Sequence, residues 1–478
     1  MVNKDDLLRF IKMQQREINL KINAGKFNAM HKRLKYYSII DRIDKFMEEE
    51  SYSKRFIVMP GLRGVGKSTI LYQLYSYLIE NSIESENILY LDVDELLSNY
   101  NTSIKEVFDI YLEYFHNTIP VSLDKKIFLL IDEAQYDKNW ARFAKILFDK
   151  SSNIFMIYTG SSALELESNT DATRRMKIER IYPMNFREYL LLAHGIKIIE
   201  NDINKIILNY NGENIQKIQD FEKVLHKELA HLNNDPQIEL KKYIQHYAFP
   251  FALLEDIEDI HDDINEVIRK IVNDDLLLFK SYKKVSSHTI TQIITYLATK
   301  KSGKTKPSTI AQSTEISSNT VKEILNTLEL TQLIFSINAY GSGGKILKNS
   351  NEHFFLTPTI KSSINYKLGR YDINEEKCFS LLIENMVASK LLYLIGNTSD
   401  SIGLFYDANK KGVDFIVKYF KEVIPIEVGI GKKTKSQLTR AINKYNAKYG
   451  ILISNRTNRI KFEDNIMYIP LITFALMF

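Results

Sequence analysis

The chain has 478 residues, and a length of this order predicts roughly three or four domains. Hydrophobic residues make up 45% of it and charged residues 26%, a balance that excludes disordered and collagen-like chains. A net charge of +5 is too small for a protein that coats nucleic acid along its whole surface, so any nucleic-acid surface is expected to be local.

The single cysteine, Cys378, excludes an internal disulfide and a cysteine-rich zinc cluster, which favours a reducing compartment. The first residues are charged and lack the apolar core of a signal peptide, and the apolar stretch YIPLITFALMF is shorter than a membrane span. We therefore expect a soluble, cytoplasmic protein without a membrane partner.

Four short apolar runs in the N-terminal third are separated by amphipathic stretches: FIVM, ILYLDV, IFLLID and IFMIYTG. Buried strands that alternate with helices indicate a parallel sheet covered on both faces, so the fold class is α/β. Polar helices are predicted after Pro183. They are followed by two helices, a strand, the turn GSGG and a second strand, the order of a winged helix-turn-helix.

The segment GLRGVGKS, residues 61–68, fits the pattern G-x-x-x-x-G-K-[S/T] between a predicted strand and a predicted helix. Its glycines let successive N–H groups turn towards a triphosphate, and the helix N-terminus favours negative charge. Lys67 is expected to reach the β- and γ-phosphates of ATP, and Ser68 to ligate Mg²⁺. The predicted ATP-binding residues are Gly61, Gly64, Val65, Gly66, Lys67, Ser68, Thr69 and Ser161.

The strand IFLLID delivers two acids to its carboxyl end, where ligands of open α/β sheets bind. Asp132 is expected to hold Mg²⁺, and Glu133 to orient and deprotonate the attacking water. Ser161 follows the next strand, where it either contacts the γ-phosphate or belongs to an ordinary loop. Arg174 and Arg175 come next, and a guanidinium there either stabilises transition-state charge at a neighbour's nucleotide or is solvated.

These motifs resemble those of bacterial and archaeal AAA-type P-loop ATPases whose C-terminal domain, of unknown function, is similar to PD-(D/E)xK nucleases. The resemblance rests on GLRGVGKST, LLIDEAQ, TGSS, the arginine pair before YPMNFREYL, YIQHYAFPFALLED, TVKEILNTLELTQLIF, HFFLTP, GVDFIV and IPIEVG. In that group a glycine usually precedes the arginine, whereas Arg174 stands here, so Arg175 is the better-aligned catalytic candidate.

The resemblance implies a lid, a winged helix and a homo-oligomer in which Arg175 faces a neighbouring subunit. The predicted domains are a helical segment (1–50), a P-loop AAA-type ATPase core (51–183), a helical lid (184–285), a winged helix-turn-helix (286–358) and a nuclease-like α/β domain (359–478).

The helix SNTVKEILNTLEL is the candidate recognition helix of the winged helix. Val321, Leu325 and Leu328 share one face, which leaves Lys322 and polar neighbours for a phosphate backbone. Glu323 on the same helix would repel phosphates. Contact with DNA and contact with a protein partner therefore both remain open.

Three acids of the final domain are candidates for a nuclease site: Glu384 on a helix, and Asp414 and Glu427 on consecutive strands. Carboxylates that meet on paired strands suit a divalent cation that activates water. A PD-(D/E)xK site also needs a lysine two residues after the second acid, and Gly429 stands there. The missing lysine favours a retained fold with ordinary surface acids over an active nuclease.

The leading hypothesis is an Mg²⁺-dependent ATPase that switches a C-terminal half able to bind DNA or a protein partner. One alternative is an ATP-gated nuclease, in defence against foreign DNA or on a mobile element. The other is a nucleotide-switched regulatory protein whose hydrolysis is slow.

Overall fold

The computed structural model describes residues 3–23, 31–48, 52–160, 174–199, 202–278, 285–300, 306–344, 350–370, 376–397, 401–409, 411–429 and 435–477. The chain divides into two compact units. Unit 1 comprises Met1–Tyr182 with Leu330–Gln332, and unit 2 comprises Pro183–Glu329 with Leu333–Phe478. The finer division into five domains stays a prediction.

Unit 1 is an α/β unit around five parallel strands in the order β2-β3-β4-β1-β5. The central strands β1, β3 and β4 are buried along their whole lengths, as strands covered on both faces must be, and this confirms the predicted α/β class. The strands are β1 Phe56–Pro60, β2 Ile88–Asp92, β3 Ile127–Asp132, β4 Ile154–Gly160 and β5 Lys177–Ile178. The helices are α1 Lys4–Asn23, α2 Leu34–Glu48, α3 Lys67–Glu80, α4 Val93–Tyr100, α5 Ile104–Tyr111 and α6 Trp140–Lys150.

The N-terminal helix α1 is part of the core of unit 1. Leu7, Phe10 and Ile11 are buried in the same hydrophobic cluster as the strands. The Gln14 amide donates to Glu95 Oε2 at 2.6 Å and accepts from the backbone N–H of Asp92 at 3.2 Å. Helix α1 therefore packs beside the end of β2, close to the edge of the sheet where the candidate site lies.

Unit 2 combines helices with a mixed eight-stranded sheet in the order β12-β13-β11-β10-β9-β8-β6-β7. The strands are β6 Ile334–Ala339, β7 Glu352–Phe355, β8 Ile402–Tyr406, β9 Phe415–Tyr419, β10 Glu422–Gly429, β11 Gly450–Ser454, β12 Lys461–Glu463 and β13 Ile466–Pro470. The helices are α7 Phe186–His194, α8 Ile203–Leu208, α9 Ile215–Leu229, α10 Pro236–Gln245, α11 Ile257–Asn273, α12 Ser287–Thr299, α13 Pro307–Thr314, α14 Ser318–Leu330, α15 Pro358–Lys367, α16 Glu376–Asn397, α17 Ser436–Tyr445 and α18 Leu471–Met477.

The hairpin β6–β7 follows helices α13 and α14, in the order predicted for a winged helix-turn-helix, but it does not stand alone. Strand β6 pairs with β7 on one side and runs parallel to β8 on the other, with Asn338 opposite Phe405 and Ala339 opposite Tyr406. The hairpin is thus the edge of the C-terminal sheet. The hairpin and the strands after it share one hydrogen-bonded sheet, across the predicted boundary at residue 358.

Polar contacts tie helix α9 to the C-terminal sheet of unit 2. The buried carboxylate of Glu222 accepts from the backbone N–H of Ile460 at 2.7 Å and from the Thr473 hydroxyl at 2.7 Å. The Thr473 hydroxyl in turn accepts from His226 Nε2 at 2.8 Å. The helical middle and the C-terminal sheet therefore form a single packed body.

Helix α16 contains the one stretch among the described residues, Cys378–Gly396, that is long and apolar enough to cross a membrane. Half of that stretch is buried inside unit 2. Among the residues buried there are Ile383, Met386 and Val387. A core helix of a soluble protein has the same length and composition, so the stretch is weak support for a membrane span.

Two buried histidines of unit 2 predict that its stability depends on pH. His246 Nδ1 lies 3.1 Å from His261 Nε2, and His261 Nδ1 lies 2.8 Å from the Ser363 hydroxyl. Burial lowers the pKa of both histidines to about 4; the neighbouring His261 adds to the effect on His246, and Asp262 opposes the effect on His261. Below the ordinary pKa of about 6.5 both histidines are protonated in the unfolded chain, whereas in the folded chain they stay neutral down to about pH 4. Acid therefore favours unfolding.

We expect the free energy of unfolding to fall by about 2 kcal/mol for each of these histidines between pH 7 and pH 4.5. Urea unfolding at the two pH values measures this fall. The double variant His246→Gln, His261→Gln should lose less stability over the same range. An equal loss in both proteins would show that other groups carry the acid sensitivity.

Candidate nucleotide-binding site

The segment between β1 and α3 is folded as a phosphate-binding loop. Gly64 and Gly66 have φ values of 84° and 88°, a region that favours glycine because it has no Cβ atom. A Cβ atom at Gly61 would lie 2.4 Å from the carbonyl oxygen of Ile181, so only glycine fits there. Helix α3 begins directly after Gly66, which has no side chain to cap it. Its first N–H groups are therefore available for an anion.

Lys67 is held inside the loop. Its side chain is 4% exposed, and its ammonium donates to the carbonyl oxygens of Gly61 at 3.0 Å and Leu62 at 3.3 Å. Ser68 and Thr69 follow in the first turn of α3, both half-buried. The arrangement places a cation and two hydroxyl groups next to N–H groups that need an acceptor, which suits a polyphosphate.

Asp132 stands at the carboxyl end of β3 and is 2% exposed. Its carboxylate accepts from the hydroxyl groups of Ser68 and Thr159. Burial raises the pKa of Asp132 and the charge of Glu133 adds to the rise, while the two hydroxyls and Lys67 oppose it. The predicted partners Ser68 and Asp132 therefore meet, and Thr159 is a contact that sequence reasoning missed because it lies inside an apolar strand.

Glu133 has an unusual backbone for a residue with a side chain. Its φ is 52°, a left-handed conformation that costs free energy and persists where the surroundings impose it. Its N–H donates to Asp132 Oδ1 and to the Thr159 hydroxyl, both at 3.2 Å. Its carboxylate accepts from the Gln135 side-chain amide. The turn directs Glu133 away from the strand, and Gln135 orients its carboxylate.

Asp92 is a third acid at this edge, and the sequence analysis missed it. The register pairs Asp92 with Asp132 across β2 and β3. Burial, with Asp132 and other nearby acids, raises the pKa of Asp92 to about 6, although its hydrogen bond from the N–H of Glu95 opposes the rise. Like charges that crowd at a buried edge are stabilised by a cation.

This donor set fits Mg²⁺. The ion prefers a few hard oxygen ligands and keeps several of its waters. The Ser68 hydroxyl and the Asp132 carboxylate supply such oxygens, and they lie within hydrogen-bond contact of one another. Ser68 and Asp132 would hold the ion, which would neutralise charge on the phosphates.

Arg175 lies towards the amino-terminal ends of the strands, whereas the phosphate-binding loop lies at their carboxyl ends. The register aligns β5 with β1 so that Lys177 pairs with Ile57 and Ile181 with Gly61. Arg175 is therefore about six residues, or roughly 20 Å, from the phosphate-binding loop along the strand direction. Its Nε donates to Asp149 Oδ1 at 2.6 Å, and the preceding Arg174 is exposed. Within one chain Arg175 does not reach the nucleotide site.

Two of the three nuclease candidates, Asp414 and Glu427, meet across paired strands. Ile426 pairs with Phe415, so Glu427 and Asp414 are the next cross-strand pair, and Asp414 accepts from the N–H of Val428 at 2.8 Å. Glu427 is 0% exposed. Glu384 lies near Lys361, where it partly opposes the fall that burial causes in the pKa of that lysine. The described residues contain no group of three acids, histidines or cysteines that could hold a metal.

The candidate recognition helix α14 has Val321, Leu325 and Leu328 buried, as its spacing predicts. Lys322 and Glu323 are both exposed beside one another, so its outer face carries no excess of positive charge. Ser161, the remaining site residue predicted from sequence, lies outside the described residues.

Family models match three parts of the chain. Residues 53–190 match an AAA domain. Residues 379–474 match a domain of unknown function (DUF4143), and residues 237–363 match a second one (DUF8612). The AAA match covers the sheet of unit 1 and the site just described, and it confirms an AAA-type P-loop ATPase domain.

Two relatives extend along most of the chain. The uncharacterized protein MJ1637 of Methanocaldococcus jannaschii is 34% identical over 454 residues, 95% of this chain and 91% of its own length. An uncharacterized protein of Haemophilus influenzae is 26% identical over 382 residues, 78% of this chain and 81% of its own. Among solved structures, the Walker-type ATPase PABY2304 of Pyrococcus abyssi is 14% identical, with a TM-score of 0.40, covering 71% of this chain and 97% of its own. The chain therefore belongs to the family of MJ1637, with which it aligns along nearly its whole length.

Proposed function

We propose that the chain is an Mg²⁺-dependent ATPase that uses ATP binding and hydrolysis to switch its C-terminal half. One observation carries the proposal: Lys67, Ser68 and Asp132 converge at the carboxyl edge of the sheet, with Glu133 beside them. In this proposal the loop N–H groups and Lys67 hold the phosphates. Ser68 and Asp132 hold Mg²⁺, and Glu133 takes a proton from the attacking water.

Release of phosphate by the purified full-length chain tests this proposal. ATP turnover should require Mg²⁺ and stop when EDTA removes it. DNA and cell extract are added in separate samples, because a switch protein is expected to respond to its partner. Absence of turnover under all of these conditions would contradict the proposed activity.

The proposal includes assembly of several copies in the cytoplasm. Arg175 lies roughly 20 Å from the nucleotide loop of its own chain, so a catalytic role requires the nucleotide of a neighbouring copy. A guanidinium supplied in this way stabilises charge in the transition state. The nuclease alternative is not favoured, because Gly429 replaces the expected lysine and the described residues contain no group of three acids, histidines or cysteines that could hold a metal.

The distribution of charge favours DNA as the partner and the C-terminal region as its binding surface. Residues 401–478 hold 13 lysines and arginines against six acids, whereas the rest of the chain holds 51 against 53. Residues 428–462 hold nine basic residues and no acid. Helix α17 buries Leu438 and Ile442 and exposes Arg440 and Lys444. A surface of this kind attracts phosphates regardless of base sequence.

The double variant Arg440→Gln, Lys444→Gln should bind a fluorescent DNA duplex more weakly than the unchanged chain. The slope of log K against log salt should fall by about 2, close to one for each phosphate contact removed. Lys322→Gln on α14 is the matched control and should leave the slope unchanged. The reverse pattern would assign DNA to the winged helix, and no binding by the unchanged chain would leave a protein partner.

A further inference from the structure

Arg33 precedes helix α2 and is buried inside unit 1, with 6% of its surface exposed. Its guanidinium donates from Nη1 to the carbonyl oxygen of Val65 at 2.7 Å and from Nη2 to that of Tyr182 at 2.9 Å. Val65 belongs to the phosphate-binding loop, and Tyr182 is the last residue before unit 2 begins in the chain. One side chain thus holds two distant backbone segments.

The contact with Val65 acts on the loop through the geometry of the peptide bond. The carbonyl of Val65 and the N–H of Gly66 belong to one planar peptide, and in a trans peptide they point in opposite directions. A donor that fixes the carbonyl therefore fixes the N–H as well. The N–H of Gly66 is one of the groups expected to face a phosphate.

The hydrogen bond to the Tyr182 carbonyl compensates for a backbone hydrogen bond that Pro183 cannot donate. Pro183 has no N–H, so the peptide between the two residues has only its carbonyl to hold it. Nearby cations act on the same segment: Lys35 and Arg42 pair with the buried carboxylate of Glu179 at 2.8 Å and 2.9 Å. Although burial alone would raise it, these pairs lower the pKa of Glu179. The start of α2 is thus fastened to the segment that leaves unit 1.

We propose that Arg33 is a positioning residue that orients the Gly66 N–H for phosphate and holds Tyr182 in the same arrangement. A guanidinium is planar and stays charged, so its two donors cannot move independently as two separate side chains could. A phosphate bound at the loop thereby stabilises the position of Tyr182, and a displaced Tyr182 weakens phosphate binding. The effect of Arg33 on phosphate binding rests on the proposed ATPase function, whereas its effect on the position of the phosphate-binding loop does not.

The chain contains a matched control. Arg55 is also 6% exposed, and it donates to the carbonyl oxygens of Phe148 at 2.7 Å and Ser151 at 3.1 Å. It lies just before β1, at the amino-terminal end of the strand, whereas the phosphate-binding loop follows the carboxyl end. Arg33→Ala and Arg55→Ala each remove a buried guanidinium that joins backbone segments, and only Arg33→Ala removes one from the phosphate-binding loop.

Two measurements on the full-length variants test the role. Hydrogen–deuterium exchange without nucleotide should show faster exchange of residues 61–68 in Arg33→Ala and an unchanged rate there in Arg55→Ala. Titration with ATP should show affinity weakened about tenfold or more in Arg33→Ala, as for loss of a hydrogen bond to a charged group, and near the original in Arg55→Ala. Arg33→Lys should restore part of the affinity, because an ammonium can hold one carbonyl.

Equal exchange and equal ATP affinity in the two alanine variants would overturn the proposal, because Arg33 would then be only a buried support. If the unchanged chain binds no ATP, the proposed function fails. The exchange of residues 61–68 still decides whether Arg33 holds the loop.

Discussion

Replacement of Lys67 by alanine is expected to lower ATP turnover by at least about 100-fold, the effect of removing one preorganised donor to transition-state charge. The buried ammonium is bonded within the loop to Gly61 and Leu62, so it is already placed where phosphates are expected. ATP should also stop raising the melting temperature, because a ligand stabilises a protein only as far as it binds. Phosphate release and thermal melting with and without ATP measure both effects.

Lys54→Ala is the control, since Lys54 is an exposed lysine just before β1. It lies at the amino-terminal end of that strand, whereas the phosphate-binding loop follows the carboxyl end. This substitution should leave turnover unchanged. The melting temperature of Lys67→Ala without ATP separates a lost site from a lost fold. Turnover at the original rate in a folded Lys67→Ala protein would refute the assignment of the site.

Glu133→Gln is expected to lower turnover by about 100-fold or more while ATP still binds, because it removes a general base and little volume. The amide oxygen of glutamine can still accept from Gln135, so the local arrangement should survive. ATP should therefore raise the melting temperature of this variant as much as that of the unchanged chain. Single-turnover hydrolysis and melting with ATP give the two readouts.

The matched control is Glu95→Gln, which changes an acid of the same unit whose carboxylate contacts Gln14 on α1. Little change in turnover is expected there. If Glu133→Gln instead hydrolyses ATP at the original rate, the residue is not the base. If the unchanged chain is itself as slow as this variant, the slow nucleotide-switched regulator becomes the better hypothesis.

The sheet of unit 1 could be predicted closely from sequence. The runs IFLLID and IFMIYTG coincide with β3 and β4, because central parallel strands are apolar on both faces and end where polar residues begin. The phosphate-binding loop could be predicted for a similar reason, since its glycines, lysine and serine are consecutive. Features that depend on residues consecutive in the chain can therefore be predicted from the sequence.

Features set by strand order could not be predicted in this way. Asp92 meets Asp132 only because β2 pairs with β3, and β6 joins the C-terminal sheet only because it pairs with β8. The neighbour of Glu384 could not be predicted either: the helix that carries it packs so that Glu384 lies near Lys361. Arg33 lies in a polar segment whose periodicity contains no sign of its two distant carbonyl partners.

The order in which the chain is synthesised gives the packing of helix α18 a further consequence. Ile472 and Phe474 are buried, and helix α18 packs on α7, α9 and α10, which are made much earlier. Residues 1–182 are nearly all of unit 1 and can fold while synthesis continues. The 289 residues from 182 to 471 take roughly 15–60 s at 5–20 residues per second. During that interval the ATPase unit can exist on the ribosome while the apolar surface that awaits α18 remains uncovered.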